Sequence, residues 1–228
     1  MPKYRHLILA TAGAMVLVLP ASAAYAASAH KAKPVLTIVK KGGPAVKKGA
    51  VLKASLASKT VAFALGSFSA ACKTSTFKAK VTANPSKPGK AALSVTVQKF
   101  GKCALNPTVT GVTLKGITAL NLSYDATISN AKGDPVTITE SKKSEPLSFE
   151  ASIALGTTPL TCIYTATAIS GHASNKGNKV SFSKQSFTLN TTKSSQDCSI
   201  PGATATFSAT YGPVVDSSVK HSPKVFVK

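Results

Sequence analysis

Four stretches of this chain alternate apolar and polar residues one for one, and that period of two most limits what it can fold into. Phe77, Ala79 and Val81 alternate with Lys78, Lys80 and Thr82, and Leu93, Val95 and Val97 with Ser94, Thr96 and Gln98. Val180 and Phe182 alternate with Ser181 and Ser183, and Phe207, Ala209 and Tyr211 with Ser208, Thr210 and Gly212. Successive side chains on a strand point to opposite faces, so the pattern predicts strands with one face in a core and one in water. Turn residues punctuate the runs at Asn84 to Gly89, Gly133-Asp134-Pro135, Asn175-Lys176-Gly177 and Gly212-Pro213. No later stretch sustains a period of 3.6. The expectation is an all-β fold, an antiparallel β-sandwich or open barrel.

The first residues read differently. Lys3 and Arg5 precede an apolar stretch from Leu7 to Leu19, and Ala24-Tyr25-Ala26 fits the small-x-small rule of signal peptidase. The stretch is shorter than the ~20 residues a membrane span needs. Residues 1–26 are therefore read as a removed signal peptide, 27–50 as an N-terminal arm and 51–228 as the β domain. The expected location is secreted or extracellular, with cell-wall association as an extension, and the mature chain carries no expected transmembrane segment.

Charge is distributed unevenly. Between Ala27 and Tyr124 the chain has sixteen lysines and no Asp or Glu; all seven acids lie at Asp125 or beyond. Without Lys3 and Arg5, 26 lysines stand against seven acids, a balance of +19, and no arginine remains. Arginine supplies the planar fork that reads guanine, whereas lysine is a hydrated point charge. Sequence-specific nucleic-acid recognition is accordingly not expected, and diffuse attraction to polyanions is. The arm concentrates the positive charge in Lys31, Lys33, Lys40, Lys41, Lys47, Lys48 and Lys53, around Gly42-Gly43-Pro44. These seven are the candidate polyanion-binding residues, with an anionic cell-wall polymer or membrane surface as partner. The competing role for such lysines is to keep a β protein soluble and to guard strand edges.

Cys72, Cys103, Cys162 and Cys198 are an even set in an exported chain, which is read as two disulfides. Three pairings are open. An internal repeat favours Cys72–Cys103 with Cys162–Cys198: in each segment a cysteine precedes an Asn-containing turn, then an alternating strand with Gln-x-Phe (Gln98-Lys99-Phe100; Gln185-Ser186-Phe187), then a second cysteine. The layout suggests two similar disulfide-containing halves, 51–140 and 145–228. Neither the cysteine spacings nor the scattered His30, His172 and His221 suit a metal, and no cofactor is expected.

The segment Gly177 to Phe187, the ending Ala209 to Asp216 and Ser222 to Phe226 together resemble a group of secreted actinobacterial proteins. These combine a signal peptide with a Ser/Thr/Ala-rich β domain and two disulfides. The resemblance implies compartment and fold, and it adds no catalytic residue because the group has no assigned activity.

Catalytic chemistry finds little footing. The acids Asp125, Asp134, Glu140, Glu145, Glu150, Asp197 and Asp216 show no spacing that selects a pair, and no nucleophile elbow, phosphate loop or dinucleotide fingerprint is present. His172 is the one histidine within the disulfide-bounded segments. No tryptophan is available to stack a sugar. The expected function is that of a secreted, non-enzymatic structural or binding protein whose lysine-rich surface meets anionic envelope polymers. The alternative is a secreted hydrolase or hydrolase inhibitor on the same scaffold.

Overall fold

The computed structural model describes residues 33–86 and 88–228. The expected signal peptide and Lys31 lie outside the described residues. The chain first forms β1 (Leu36–Ile38), β2 (Val51–Ser55), β3 (Val61–Leu65), β4 (Phe68–Ala83) and β5 (Lys90–Leu105). Then come β6 (Val112–Leu120), β7 (Tyr124–Ser129), β8 (Pro135–Glu140), β9 (Leu147–Leu155) and β10 (Thr158–Ala166). The last strands are β11 (Ala168–Ser174), β12 (Lys179–Leu189), β13 (Thr204–Tyr211), β14 (Val215–Asp216) and β15 (Val225–Val227). A 3-10 turn at Gln196–Ser199 precedes β13.

The expected all-β antiparallel fold is what the chain adopts. Eight strands close on themselves in the order β3, β4, β5, β7, β8, β11, β12, β13 and back to β3. The barrel is closed where a sandwich or an open barrel was expected, because β11 pairs with β8 on one side and β12 on the other. Gly171 makes that seam possible: a Cβ there would stand 2.3 Å from the Ser181 carbonyl oxygen and 2.7 Å from the Phe182 ring. Closure removes the edges that β11 and β8 would otherwise expose. Off the ring, β10, β9 and β6 continue the sheet from β12 and turn back over the interior: Phe149 of β9 packs against Phe63 and Phe187, and β6 runs beside β5 without a ladder.

The apolar half of each alternating run forms the interior. Phe63 packs its ring 5.3, 5.2 and 5.5 Å from those of Phe100, Phe149 and Phe207, and Phe77 meets Tyr211 edge-on at 5.2 Å. Tilted and edge-to-face pairs of this kind contribute beyond the area they bury.

Both expected disulfides are present. Cys72 and Cys103 are ladder partners in the β4–β5 hairpin, with Cα atoms 3.9 Å apart. Cys162 on β10 joins Cys198 in the 3-10 turn, with Cα atoms 5.4 Å apart. The two bridges therefore differ: one staples a hairpin, and the other ties an irregular connection to a strand.

The repeat extends further than the cysteine and Gln-x-Phe spacing indicated. Ala64-Leu65-Gly66-Ser67 leads to Cys72 as Ala154-Leu155-Gly156-Thr157 leads to Cys162. In both copies Gly and the next residue form a two-residue hairpin, closed by Leu65 opposite Phe68 and by Leu155 opposite Thr158. Gly66 and Gly156 take φ of 59° and 57°, the positive value such hairpins require. The halves are nevertheless not separate bodies. β3 pairs with β13, β8 with β11 and β6 with β9, so each half completes its sheet with the other.

The N-terminal arm (27–50) needs correction over its described part. Residues 33–50 are folded onto the β domain. β1 pairs with β15, placing Leu36 opposite Val227 and Ile38 opposite Val225, and Val35, Leu36 and Val46 are fully buried. Burial of Val35, Leu36 and Val46 holds the segment down despite the lysines around it, whereas Val39 remains exposed. The boundary expected at residue 51 is not a structural one.

Candidate functional site

The outward half of the alternation carries the lysines. On β4, Phe77, Ala79 and Val81 turn inward, so Lys78 and Lys80 stand exposed on the outer wall. The register of the neighbouring strands decides what joins them. Lys53 on β2 lies directly opposite Lys78, Val51 opposite Lys80, and Lys99 on β5 opposite Thr76. Lys53, Lys78, Lys80 and Lys99 thus occupy one outer face of three adjacent strands. Side chains directly opposite across a ladder have Cβ atoms about 4.5–5.5 Å apart, and like charges in that position repel. None of the four forms a salt bridge. Among the described residues the single ion pair is Lys142 Nζ to Glu145 Oε1, 3.1 Å, on a distant loop.

The turn before β2 brings two more cations to the edge of this face. Gly49 N donates to Val81 O, and Val81 N donates to Ala50 O, which sets exposed Lys47 and Lys48 beside the end of β4. An acid borders the face on its far side: exposed Asp125 on β7 is opposite Ser94, which is opposite Lys80.

The seven lysines expected to act together are therefore divided. Lys47, Lys48 and Lys53 belong to the barrel-wall face. Lys40 and Lys41 follow β1 near Lys224, whose carbonyl accepts from Val39 N, and Lys33 precedes β1. Lys78, Lys80 and Lys99 were not among the expected site residues. Their signal was present, since they fill the outward places of alternating runs. What the sequence lacks is the β2–β4 register that sets Lys53 against Lys78.

Candidates for catalysis remain dispersed. His172 is exposed on the outer face of β11, opposite Ser181 and Pro135, with no carboxylate hydrogen-bonded to it. Glu150 Oε1 accepts from Ser152 Oγ at 2.8 Å, and Glu145 is held by Lys142. Among the described residues no three His, Cys, Asp or Glu side chains converge as a metal site would require, and no helix is long and apolar enough to cross a membrane.

Three polar side chains, Ser75, Gln98 and Tyr211, instead form a small network inside the barrel. Gln98 Nε2 donates to Ser75 Oγ at 3.0 Å and to the Tyr211 hydroxyl at 2.9 Å. Ser75 Oγ and the Tyr211 hydroxyl are 2.9 Å apart, and Ser75 Oγ donates to Lys99 O at 2.7 Å. Burial pushes the Tyr211 phenol up to about 12, against the smaller opposing pull of its bonds to Ser75 and Gln98. Tyr164, fully buried, is likewise pushed up to about 12 by burial.

Comparison with protein-family models, curated proteins and solved structures finds no match to this chain.

Proposed function

We propose that this is a non-enzymatic binding protein of the extracellular space or cell envelope, held on anionic polymers by the outer face of β2, β4 and β5. The observation that carries the reading is the Lys53–Lys78 pair, flanked by Lys80 and Lys99, with no salt-bridged carboxylate. Like charges opposite one another destabilise a sheet, and a row of phosphates or carboxylates lying along the face would remove that repulsion. Lysines act there as point charges that neutralise a backbone without reading its sequence. The two disulfides fit an oxidising compartment, and the N-terminal sequence reads as an export signal.

The test is retention on immobilised polyphosphate. Lys53, Lys78, Lys80 and Lys99 are replaced together by Gln, and Lys132, Lys176, Lys193 and Lys220 likewise in a control of equal net charge. Binding that releases counterions falls linearly in log affinity with log salt. The face variant should elute at clearly lower salt than wild type, and the control near wild type. Equal elution of the two variants would refute a localised face and leave only net charge.

A further inference from the structure

The eight-stranded barrel is not filled. A cavity of about 110 Å³ lies on its inner side, bounded also by Ala119 of β6 and Phe149 of β9 and walled by phenylalanines including Phe77, Phe182 and Phe207, with Gln98 and Tyr211 among the few polar residues that line it. Barrels of eight strands have interiors wide enough for packed side chains or for one small ligand. Here the space exists because Ala79, Ala119 and Ala126 stand on its wall, where larger side chains would close it. Cavities in well-packed cores destabilise, so an unfilled one lined by aromatic rings is a site in need of an occupant.

The polar network specifies what that occupant presents. Ser75 has one proton, and Lys99 O takes it; Ser75 Oγ therefore accepts from Gln98 and from Tyr211. The Gln98 amide turns its NH2 toward both hydroxyls, which lie 2.9 Å from each other and so share one of its protons. The two hydroxyl protons, of Ser75 and Tyr211, are spent inside the network. The polar atom left over is Gln98 Oε1, an acceptor that receives no hydrogen bond from a described residue. No acidic or basic side chain lines the cavity.

From these observations we infer that the barrel interior binds a small, uncharged, ring-sized apolar molecule that gives one hydrogen bond to Gln98 Oε1. A simple phenol is the type. The volume compares with the ~150 Å³ engineered cavity that takes up benzene or xenon. A charged ligand would lose its hydration without gaining a counter-charge. This site is independent of the lysine face: it lies on the opposite side of the barrel wall.

The experiment uses the disulfide-bonded chain from Ala27 onward, labelled at isoleucine δ1 methyls and titrated with p-cresol and with toluene. Ile128, Ile138 and Ile169 line the cavity, whereas Ile117, Ile153 and Ile163 do not. Saturable shifts should be confined to the first three, and p-cresol should bind roughly three- to ten-fold more tightly than toluene, the worth of one net hydrogen bond. In Gln98→Leu the two probes should bind alike. Ala79→Leu and Ala126→Leu should each abolish binding. No saturable shift, shifts spread equally over both isoleucine sets, or undiminished binding by a folded Ala79→Leu or Ala126→Leu protein would each overturn the inference. If neither alanine variant folds, the position of the shifts in the wild-type chain decides.

Discussion

Asn84 holds Leu36 by both faces of its peptide: Leu36 N donates to Asn84 Oδ1, and Asn84 Nδ2 donates to Leu36 O, each at 2.8 Å. The same amide donates to Val46 O at 2.8 Å. In the second copy of the repeat, Asn175 does the same to Val227, accepting from its N at 2.9 Å and donating to its O at 2.6 Å. Leu36 and Val227 are themselves ladder partners. The two turn asparagines therefore grip the terminal β1–β15 sheet from either side, at the end of the barrel where the β4–β5 and β11–β12 turns lie.

Replacing Asn84 by Ala should release residues 33–46 without unfolding the barrel. Three hydrogen bonds are lost at about 1 kcal/mol each, or ~2–3 kcal/mol in all. Brief trypsin treatment should then cut at Lys40 or Lys41 in the variant well before the wild type. Equal protection would show that burial of Val35, Leu36 and Val46 suffices alone.

The paired hairpin glycines offer an internal control. Gly66 and Gly156 share the same φ, but a Cβ on Gly66 would fall 1.7 Å from the Pro201 carbonyl oxygen, and one on Gly156 would meet nothing within 4 Å. Gly156→Ala should lose only the left-handed backbone term, about 1–2 kcal/mol. Gly66→Ala should lose that and also force the Pro201–Gly202 segment away, lowering stability by several kcal/mol in urea unfolding. Equal losses would mean that the Pro201 contact is easily displaced.

Alkaline pH should expose the buried phenols. An unfolded tyrosine ionises near 10. Tyr211 and Tyr164 are raised to about 12 in the folded chain, so their contribution is complete below pH 10 and is lost as pH rises toward 12. Each contributes a slope of at most about 1.4 kcal/mol per pH unit in that window. Tyr124 is also raised by burial, opposed by its bond to Ser148. Tyrosinate absorbance of the chain from Ala27 should therefore stay low at pH 10–11 and rise with unfolding. A normal titration near 10 in the native protein would contradict the burial.

Removing the disulfides should separate their roles. The bridges close loops of 31 and 36 residues, for which the chain-entropy model gives about 4 kcal/mol each. Cys72→Ala with Cys103→Ala should lose less than this, because the β4–β5 ladder already holds that loop closed in the native hairpin and favours it when unfolded. Cys162→Ala with Cys198→Ala should lose the full amount and loosen the 3-10 turn at Gln196–Ser199, seen as amide exchange there. The reverse ranking would mean that the irregular connection is held by its backbone bonds, such as Ser195 N to Thr161 O.

Strand content was readable because alternation is a local property: Phe77-Lys78-Ala79-Lys80-Val81 states which side faces the core whatever the partner strand is. The cysteine pairing was readable because each bridge lies within one copy of a repeat that the chain itself displays. The docking of residues 33–50 is only partly legible for the opposite reason: Val35–Val39 reads as a candidate edge strand, but nothing nearby says what holds it. Their lysines are conspicuous in the sequence, whereas the three contacts made by Asn84 come from a residue up to 48 positions away.

By itself, then, the sequence determined that this chain builds strands and which faces they bury, and it favoured one of three cysteine pairings. Only the folded arrangement decided that β11 meets β12 to close a barrel, that Lys53 meets Lys78, and that three alanines leave the interior open. Alternation specifies the face of each residue but not its neighbour across the ladder. That neighbour is set by register, and register depends on the packing of strands that lie far apart along the chain.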